Sequence, residues 1–243
     1  MTGISKLVGG EVHVWRVHLV AQTEKIRAFR DVLSVDEIER ADRFHFERDR
    51  TRFVIGRAAM RYILSQYLGV GSAEVEFSYG PKGKPELSSA AAQSGITFNL
   101  SHSHDYALLA VARETRLGVD LEFVNPEFAT QEIATQFFSA SEAGLLCSLP
   151  PSARAEAFFS CWTRKEAYIK ALGEGMTVPL NSFDVAFVPG VPAALLRVNV
   201  DPCEVMRWSM YDIKPVAGYK AALVAEGKKH RLRQLHWESE LFR

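Results

Sequence analysis

Two carboxylates stand two residues apart in the stretch 118–122, which reads GVDLE. Because successive side chains of a β-strand point to opposite faces, Asp120 and Glu122 would share one face of such a strand. In a partly shielded cleft, at a separation of about 5.5 Å, their repulsion would be about 3 kcal/mol, and a divalent cation would reverse its sign. On a solvated face the repulsion falls below about 1 kcal/mol, so an amphipathic edge strand is the alternative interpretation.

A second acidic element lies in the stretch WTRKEAYIK, residues 162–170. At helical spacing Glu166 and Lys170 share a face, separate from the stripe that is predicted to be buried, which comprises Phe158, Trp162, Ile169 and Leu172. A third oxygen ligand with an ammonium beside it would suit a magnesium site that also holds a pyrophosphate. The alternative is an ordinary helix ion pair of about 0.3–0.5 kcal/mol.

Two loops offer further polar contacts. The stretch GPKGKP, residues 80–85, has lysines that can reach a phosphate and glycines that allow close backbone approach. A solvated hairpin turn is its alternative interpretation. The stretch FNLSHSH, residues 98–104, is predicted to leave a strand and enter a polar turn. His102 and His104 are two residues apart, but no Cys or His cluster completes a tetrahedral zinc site.

The elements that would position these residues alternate between helices and strands, which predicts an α+β fold. Two long helices are predicted, from about Arg48 to Leu68 and from Ser152 to Leu172, and each is followed by a glycine. S-x-x-E capping boxes begin two other helices, at Ser34 and Ser139. Strands are predicted at residues 11–20, 75–79, 96–100, 106–112, 117–123, 183–188, 195–200, 205–213, 219–225 and 231–237. The repeated plan of a long helix followed by strands suggests a duplicated unit with a hinge near residues 114–116, and the pattern alone leaves duplication open.

Composition excludes several classes of protein. The chain has 243 residues, is 47% hydrophobic and carries no formal net charge, so no global field attracts nucleic acid or an anionic membrane. The three cysteines form no CxxC pair, and no run of about 18 apolar residues occurs. We expect a cytoplasmic protein that neither binds nucleic acid nor spans a membrane.

The ordered motifs GPKGKP, FNLSHS, GVDLE, FFSASE and WTRKEAYIKALGEG together resemble the surfactin-type 4′-phosphopantetheinyl transferases, over nearly the whole chain. The resemblance implies two similar α+β lobes, residues 1–115 and 116–243, that form a pseudo-dimer with coenzyme A in the cleft between them. It also implies a monomer that transfers phosphopantetheine from coenzyme A to a serine of an apo acyl, peptidyl or aryl carrier protein. Magnesium, with manganese as the alternative ion, would be required. Carriers of fatty-acid, polyketide, nonribosomal peptide and siderophore synthesis are all compatible with the sequence.

The resemblance also assigns site residues. Asp120, Glu122 and Glu166 correspond to the metal ligands, with Glu166 also the candidate base, and Lys170 to a catalytic lysine on the pyrophosphate. The full coenzyme-binding set is Arg40, Arg52, Lys82, Gly83, Lys84, Pro85, Ser101, His102, Asp120 and Lys170. The sequence departs from the pattern at Glu37, where relatives often have a lysine, and in the lengthened 80–85 loop, where Lys82 would replace the absent charge.

Two other functions remain open at this stage. One is a coenzyme A-dependent acyltransferase with His102 as the base, which would release a free thiol. The other is a carrier-binding module without activity, which would tolerate loss of Glu166. A further hypothesis places carrier docking at four apolar residues before the second long helix, at least half of which are expected in the core: Phe137, Phe138, Leu145 and Leu146.

Overall fold

The computed structural model describes residues 7–80, 83–173 and 177–239. In chain order its elements are β1 (Glu11–His18), α1 (Thr23–Arg30), α2 (Val35–Asp42), α3 (Glu47–Leu68), β2 (Phe77–Tyr79), β3 (Pro85–Leu87), α4 (Ser89–Ala92), β4 (Ile96–Ser103), β5 (Tyr106–Arg113), β6 (Leu117–Phe123), α5 (Gln131–Phe137), α6 (Ala140–Ser148), α7 (Pro151–Leu172), β7 (Phe183–Val185), β8 (Leu195–Val198), α8 (Glu204–Arg207), β9 (Trp208–Ile213), β10 (Tyr219–Glu226) and β11 (Arg231–Trp237). This mixture confirms the predicted α+β class.

The chain divides into two compact units. The first contains the chain up to Phe98, residues 102–114 and the segment from Leu232 onward, and the second contains residues 99–101 and 115–231. In the first unit, β1 and β5 pair antiparallel in a sheet of order β11-β1-β5-β4, of which three middle residues of β4 belong to the second unit. The lobes drawn from the sequence, residues 1–115 and 116–243, stay a prediction.

Both long helices have the predicted ends. α3 and α7 are 22 residues long, and each stops at a glycine in the left-handed region, Gly69 with φ 71° and Gly173 with φ 75°. The amide of Gly173 donates to the carbonyl of Ile169, which satisfies one carbonyl of the last turn. The capping boxes at Ser34 and Ser139 are also present. Glycine stops these helices because it adopts positive φ without a steric penalty.

The second unit is built on the antiparallel sheet β6-β10-β9, with β7 and β8 as a separate pair. Helix α7 packs on this sheet, and small residues make close packing possible. Ala167 and Ala171 of the helix share one hydrophobic core with Ala222 and Val224 of β10. Because α7 meets neighbours on several sides, it is buried well beyond a single stripe, from Ala157 to Ala171.

Several predicted strand boundaries are wrong, and two of them have a clear local reason. The stretch 98–104 does not turn after residue 100, because β4 continues to Ser103 before a turn at His104 with φ 49°. The predicted strand 205–213 begins instead as the short helix α8. There the carboxylate of Glu204 accepts hydrogen bonds from Trp208 at 2.6 Å and Arg207 at 2.9 Å. These side-chain contacts favour a helical turn over the strand that the apolar residues indicate.

Within the described part of the chain, no helix combines the length and apolar character needed to cross a bilayer.

Candidate active site

One face of β6 lies directly against helix α7. A Cβ atom built on Gly118 would come within 2.2 Å of the carbonyl oxygen of Ala167 and 2.4 Å of the amide nitrogen of Ala171. Since strand residues alternate between faces, Asp120 and Glu122 point to the same side as Gly118, toward the helix that carries Glu166 and Lys170. The glycine of GVDLE therefore allows a strand and a helix to approach closely enough for their polar side chains to meet.

Asp120 is the centre of a short polar cluster. Its Oδ1 atom accepts hydrogen bonds from the ammonium of Lys170 at 2.6 Å and from the hydroxyl of Ser101 at 2.9 Å. The Lys170 Nζ atom also donates to the Ser101 Oγ atom at 3.0 Å. Asp120 is only 2% exposed, so its charge is held away from water and the lysine neutralises it. The alternative of a solvated edge strand is thus wrong for Asp120, although β6 is an edge strand of its sheet.

Side chains of β4 close the outer edge of β6. The amide of Val119 donates to Asn99 Oδ1 at 2.8 Å, and the amide of Leu121 donates to Ser101 Oγ at 3.3 Å. These bonds satisfy backbone groups that an edge strand would otherwise leave unpaired. Ser101 therefore orients both the backbone and the carboxylate of the cluster, whereas the sequence assigned it only to coenzyme binding.

The second carboxylate oxygen of Asp120 has an unused acceptor capacity. Its Oδ2 atom is buried and accepts no hydrogen bond from the described residues. A buried carboxylate oxygen without a donor is costly, so its presence marks a position where a cation or a donor from a ligand would be favourable.

Glu166 lies one helical turn before Lys170, in an apolar setting. It lines a cavity of about 200 Å³ together with Phe137, Ile169 and residues 178–181. Burial, and next the charge of Asp120, raise the pKa of Glu166 above its usual range, whereas Lys170 acts in the opposite direction. Asp120 and Lys170 therefore both lie within electrostatic reach of the Glu166 carboxyl. A carboxylate with a raised pKa is suited to accept a proton near neutral pH.

Glu122 is half-buried on the same face and pairs in register with Lys220 of β10. Among the described residues, however, no group of three His, Cys, Asp or Glu side chains is arranged so that it could hold a metal ion. The three predicted ligands do supply the carboxylate oxygens that magnesium prefers. Of these, Asp120 Oδ2 is buried and accepts no hydrogen bond from the described residues. The residue types therefore fit magnesium, and the metal assignment is taken up below as a proposal.

A buried ion pair that the sequence does not predict lies beside the site. Lys165 is fully buried, and its ammonium contacts the carboxylate of Glu142 at 2.7 Å. It also donates to the carbonyls of Leu180 at 2.8 Å and Phe183 at 2.5 Å. Lys165 thereby attaches α7 to the segment that lines the cavity beside Glu166. Sequence gives no signal for this role, because a lysine in a helix is usually solvated.

Another cavity of the second unit, about 610 Å³, is lined by α7 residues between 156 and 164 and by residues 187–191, 212–217 and 219–221. Its lining does not include Asp120, Glu122, Glu166 or Lys170, so it is separate from the predicted site.

The other predicted coenzyme-binding residues, His102 among them, belong to the first unit. Arg40 is exposed and stacks on the ring of Phe53, with its Cζ atom 5.4 Å from the ring centre. Arg52 instead donates to the carboxylate of Asp105, at 2.5 Å and 3.2 Å, so its charge is already paired. His102 is exposed on β4.

The 80–85 loop joins β2 and β3 as a hairpin, in which Tyr79 is opposite Pro85. Its turn is closed by a hydrogen bond from the Gly83 amide to the Gly80 carbonyl, and Gly83 has a φ of 73°. Lys84 is half-buried. Lys82 lies outside the described residues, so its predicted role as a substitute charge stays a prediction.

Glu37, which departs from the family pattern, has a structural role. It is 1% exposed, and its carboxylate accepts from Arg61 at 2.6 Å and from the Ser34 amide at 3.1 Å.

Of the four apolar docking candidates, Phe138 and Leu146 are buried in the core at 2% and 3% exposure. Phe137 is partly buried against Trp162, and Leu145 is 42% exposed. The expectation that at least half would be core residues is confirmed.

Comparisons with known proteins show the family of this chain. A family model described as the 4′-phosphopantetheinyl transferase superfamily matches residues 116–224, and a model of the N-terminal part of a 4′-phosphopantetheinyl transferase matches residues 20–114. The chain is 39% identical over 221 residues to the 4′-phosphopantetheinyl transferase HetI of Nostoc sp., covering 91% of this chain and 90% of HetI. It is 29% identical over 203 residues to the 4′-phosphopantetheinyl transferase Sfp of Bacillus subtilis, covering 83% and 86% of the two chains. The chain belongs to the 4′-phosphopantetheinyl transferase superfamily, a family of enzymes.

Proposed function

We propose that this protein transfers the 4′-phosphopantetheine group of coenzyme A to a serine of an apo carrier protein and releases adenosine 3′,5′-bisphosphate. The observation that carries the proposal is the convergence of Asp120, Ser101 and Lys170 within 3.0 Å, beside a Glu166 whose pKa is raised. Such a set combines a proton acceptor with a positive charge, as attack on a phosphorus atom requires.

The chain's own residues have separate tasks in this proposal. Glu166 accepts the proton of the carrier serine as the serine oxygen forms its bond to phosphorus. The bond between that phosphorus and the oxygen of the departing adenosine bisphosphate breaks. The ammonium of Lys170 offsets the negative charge that develops on the departing phosphate. Asp120 and Ser101 orient Lys170, because both accept its hydrogen bonds.

Asp120, Glu122 and Glu166 are the residues proposed to hold magnesium, with manganese as the alternative ion. When bound, the ion would supply neutralisation of the pyrophosphate charge. Support comes from the buried Oδ2 of Asp120, which has no donor among the described residues, and from Glu166, whose pKa is raised by burial and next by the charge of Asp120.

On the coenzyme side, we assign Arg40, Lys84 and His102 to recognition of the nucleotide, together with the 83–85 backbone. Arg40 and His102 are exposed, so a ligand could reach both side chains from the surface. The case for Arg52 as a nucleotide contact is weaker, because its guanidinium already forms an ion pair with Asp105 at 2.5 Å.

The test is to incubate the protein with coenzyme A, magnesium and a panel of apo carriers, and to weigh the products. We expect each substrate carrier to gain the mass of one phosphopantetheine, with no release of free thiol and with loss of transfer when the metal is chelated. Glu166→Gln and Asp120→Ala should lower the rate by about 10²–10⁴-fold. Glu156→Gln is the matched control, because Glu156 lies on the same helix but is exposed and pairs with Lys220.

Full transfer rates in the Glu166 or Asp120 variants would refute the assigned roles. Release of free thiol from an acyl-coenzyme A would instead favour the acyltransferase alternative. Carrier binding without any mass gain would favour a module that only binds carriers.

A further inference from the structure

The end of helix α7 that carries Lys170 is tied to the strand that carries Asp120 by a residue outside the predicted site. The Nη2 atom of Arg116 donates a hydrogen bond of 2.5 Å to the carbonyl of Leu172, the last residue of the helix. The last carbonyls of a helix have no partner within it and carry partial negative charge, so a guanidinium there is favourable. Lys170 lies only two residues before this contact.

Arg116 belongs to the same alternating series as the site residues. It precedes β6 by one position, and its carbonyl accepts the amide of Glu226, which extends the pairing of β6 with β10. Along this series Arg116 contacts the end of α7, Gly118 touches the backbone of the helix, and Asp120 holds Lys170. The strand therefore fixes the last turns of the helix at three successive points.

The Arg116 side chain is itself held in place. Its guanidinium carbon lies 5.5 Å from the centre of the Trp208 ring, within the range of a cation–π contact. Trp208 is 3% exposed, and its indole nitrogen donates to Glu204 at 2.6 Å. Because the ring is fixed, the exposed arginine has a defined orientation and need not be ordered by the helix alone.

We propose that Arg116 is a positioning residue for Lys170. It suppresses fraying of the last turn of α7, so that the lysine stays in contact with Asp120 and Ser101. This inference rests on the proposed function for its catalytic consequence, whereas the effect on the helix can be measured without activity.

The experiment compares Arg116→Ala, Arg116→Lys and Arg207→Ala with the wild-type protein. Arg207 is the matched control, because its guanidinium carbon also lies on the Trp208 ring, at 5.2 Å, while its ion pairs are with Glu204 and Glu226. Amide hydrogen exchange is followed in the peptide that spans residues 170–173. In Arg116→Ala we expect exchange there to be about fivefold faster, equivalent to about 1 kcal/mol, with other peptides unchanged.

Arg116→Lys should restore part of the protection, since it keeps a donor and a charge. The kcat/KM for coenzyme A should fall about fivefold in Arg116→Ala and recover in the lysine variant. Unchanged exchange in Arg116→Ala, or the same change in Arg207→Ala, overturns the proposal. Faster exchange with full transfer activity also overturns it, because the last turn would then not determine the position of Lys170. If the wild-type protein transfers nothing, the proposed function fails, and the exchange comparison still decides whether Arg116 holds the helix end.

Discussion

Replacement of Gly118 by alanine tests whether the contact between β6 and α7 sets the geometry of the site. The added Cβ would lie 2.2 Å from the Ala167 carbonyl oxygen, about 1.2 Å inside the 3.4 Å at which ordinary contact begins. The other close atoms, the amide nitrogen of Ala171 at 2.4 Å and the carbonyl carbon of Lys170 at 2.8 Å, are also backbone. No side chain can rotate to relieve the overlap, so the helix must move away from the strand.

The size of the effect follows from this displacement. A shift of about 1.2 Å would lengthen the Lys170–Asp120 contact from 2.6 Å to nearly 4 Å if the lysine did not follow. Overpacking of this kind costs about 3 kcal/mol of unfolding free energy, at the upper end of its usual range. A misplacement of about 1 Å in an active site can reduce the rate by about 10²-fold. We therefore expect Gly118→Ala to be less stable by about 3 kcal/mol and about 10²-fold slower.

The assay is phosphopantetheine transfer, followed by the mass of the carrier, at a temperature where circular dichroism shows the variant to be folded. Urea unfolding gives the stability change. Gly144→Ala is the matched control, because Gly144 lies in α6 and, apart from the adjacent backbone of its own helix, no described atom lies within 4 Å of its Cβ position. Alanine there should stabilise by up to about 1 kcal/mol and leave the rate unchanged. If Gly118→Ala transfers at the wild-type rate, the close approach of strand and helix is not what positions the site.

Two predictions concern stability. Lys165→Met should lower the unfolding free energy by about 3–5 kcal/mol in urea titrations, because Glu142 would keep a buried charge without its partner. The double variant with Glu142→Gln should recover part of that loss. A loss below about 1 kcal/mol in Lys165→Met would contradict the importance of the pair. Burial, and next the charge of Arg233, lower the pKa of His13, which is also near Glu11 and contacts Tyr67 at 2.7 Å. Below pH 6.5 the folded state therefore binds fewer protons at His13 than the unfolded state does. The contribution of His13 to the free energy of unfolding is complete above pH 6.5 and is lost as the pH falls through the lowered pKa, by at most about 1.4 kcal/mol per pH unit. The pH dependence of the urea midpoint between pH 7 and 5 should be weaker in His13→Asn, and equal slopes would disprove this role.

Local sequence signals predict the elements that carry the site. Gly69 and Gly173 end the long helices, and β6 has its predicted bounds, because backbone conformation and alternation are determined by neighbours in the chain. The same alternation places Asp120 and Glu122 on one face.

Contacts between distant elements are not predicted. Ser101 bonds to Asp120, Lys165 is buried with Glu142, and Arg116 caps α7 only because separate segments meet in the folded second unit. The sequence around a basic residue in a helix or before a strand does not indicate whether its side chain is solvated or buried. The motif resemblance identified Asp120, Glu166 and Lys170 without indicating that Lys170 pairs with Asp120.

The two elements of the site differ in how firmly they are held. β6 is bonded to β10 on one edge and to the side chains of Asn99 and Ser101 on the other, so it has hydrogen bonds along both edges. Among the described residues, the backbone of the last turn of α7 has fewer bonds beyond the helix itself, namely the αL cap at Gly173 and the carbonyl contact from Arg116. Local opening is easiest where backbone bonds are few, so we expect the strand to be the rigid reference and the helix end to be the adjustable part. A substitution that loosens the helix end should therefore displace Lys170 before it disturbs Asp120.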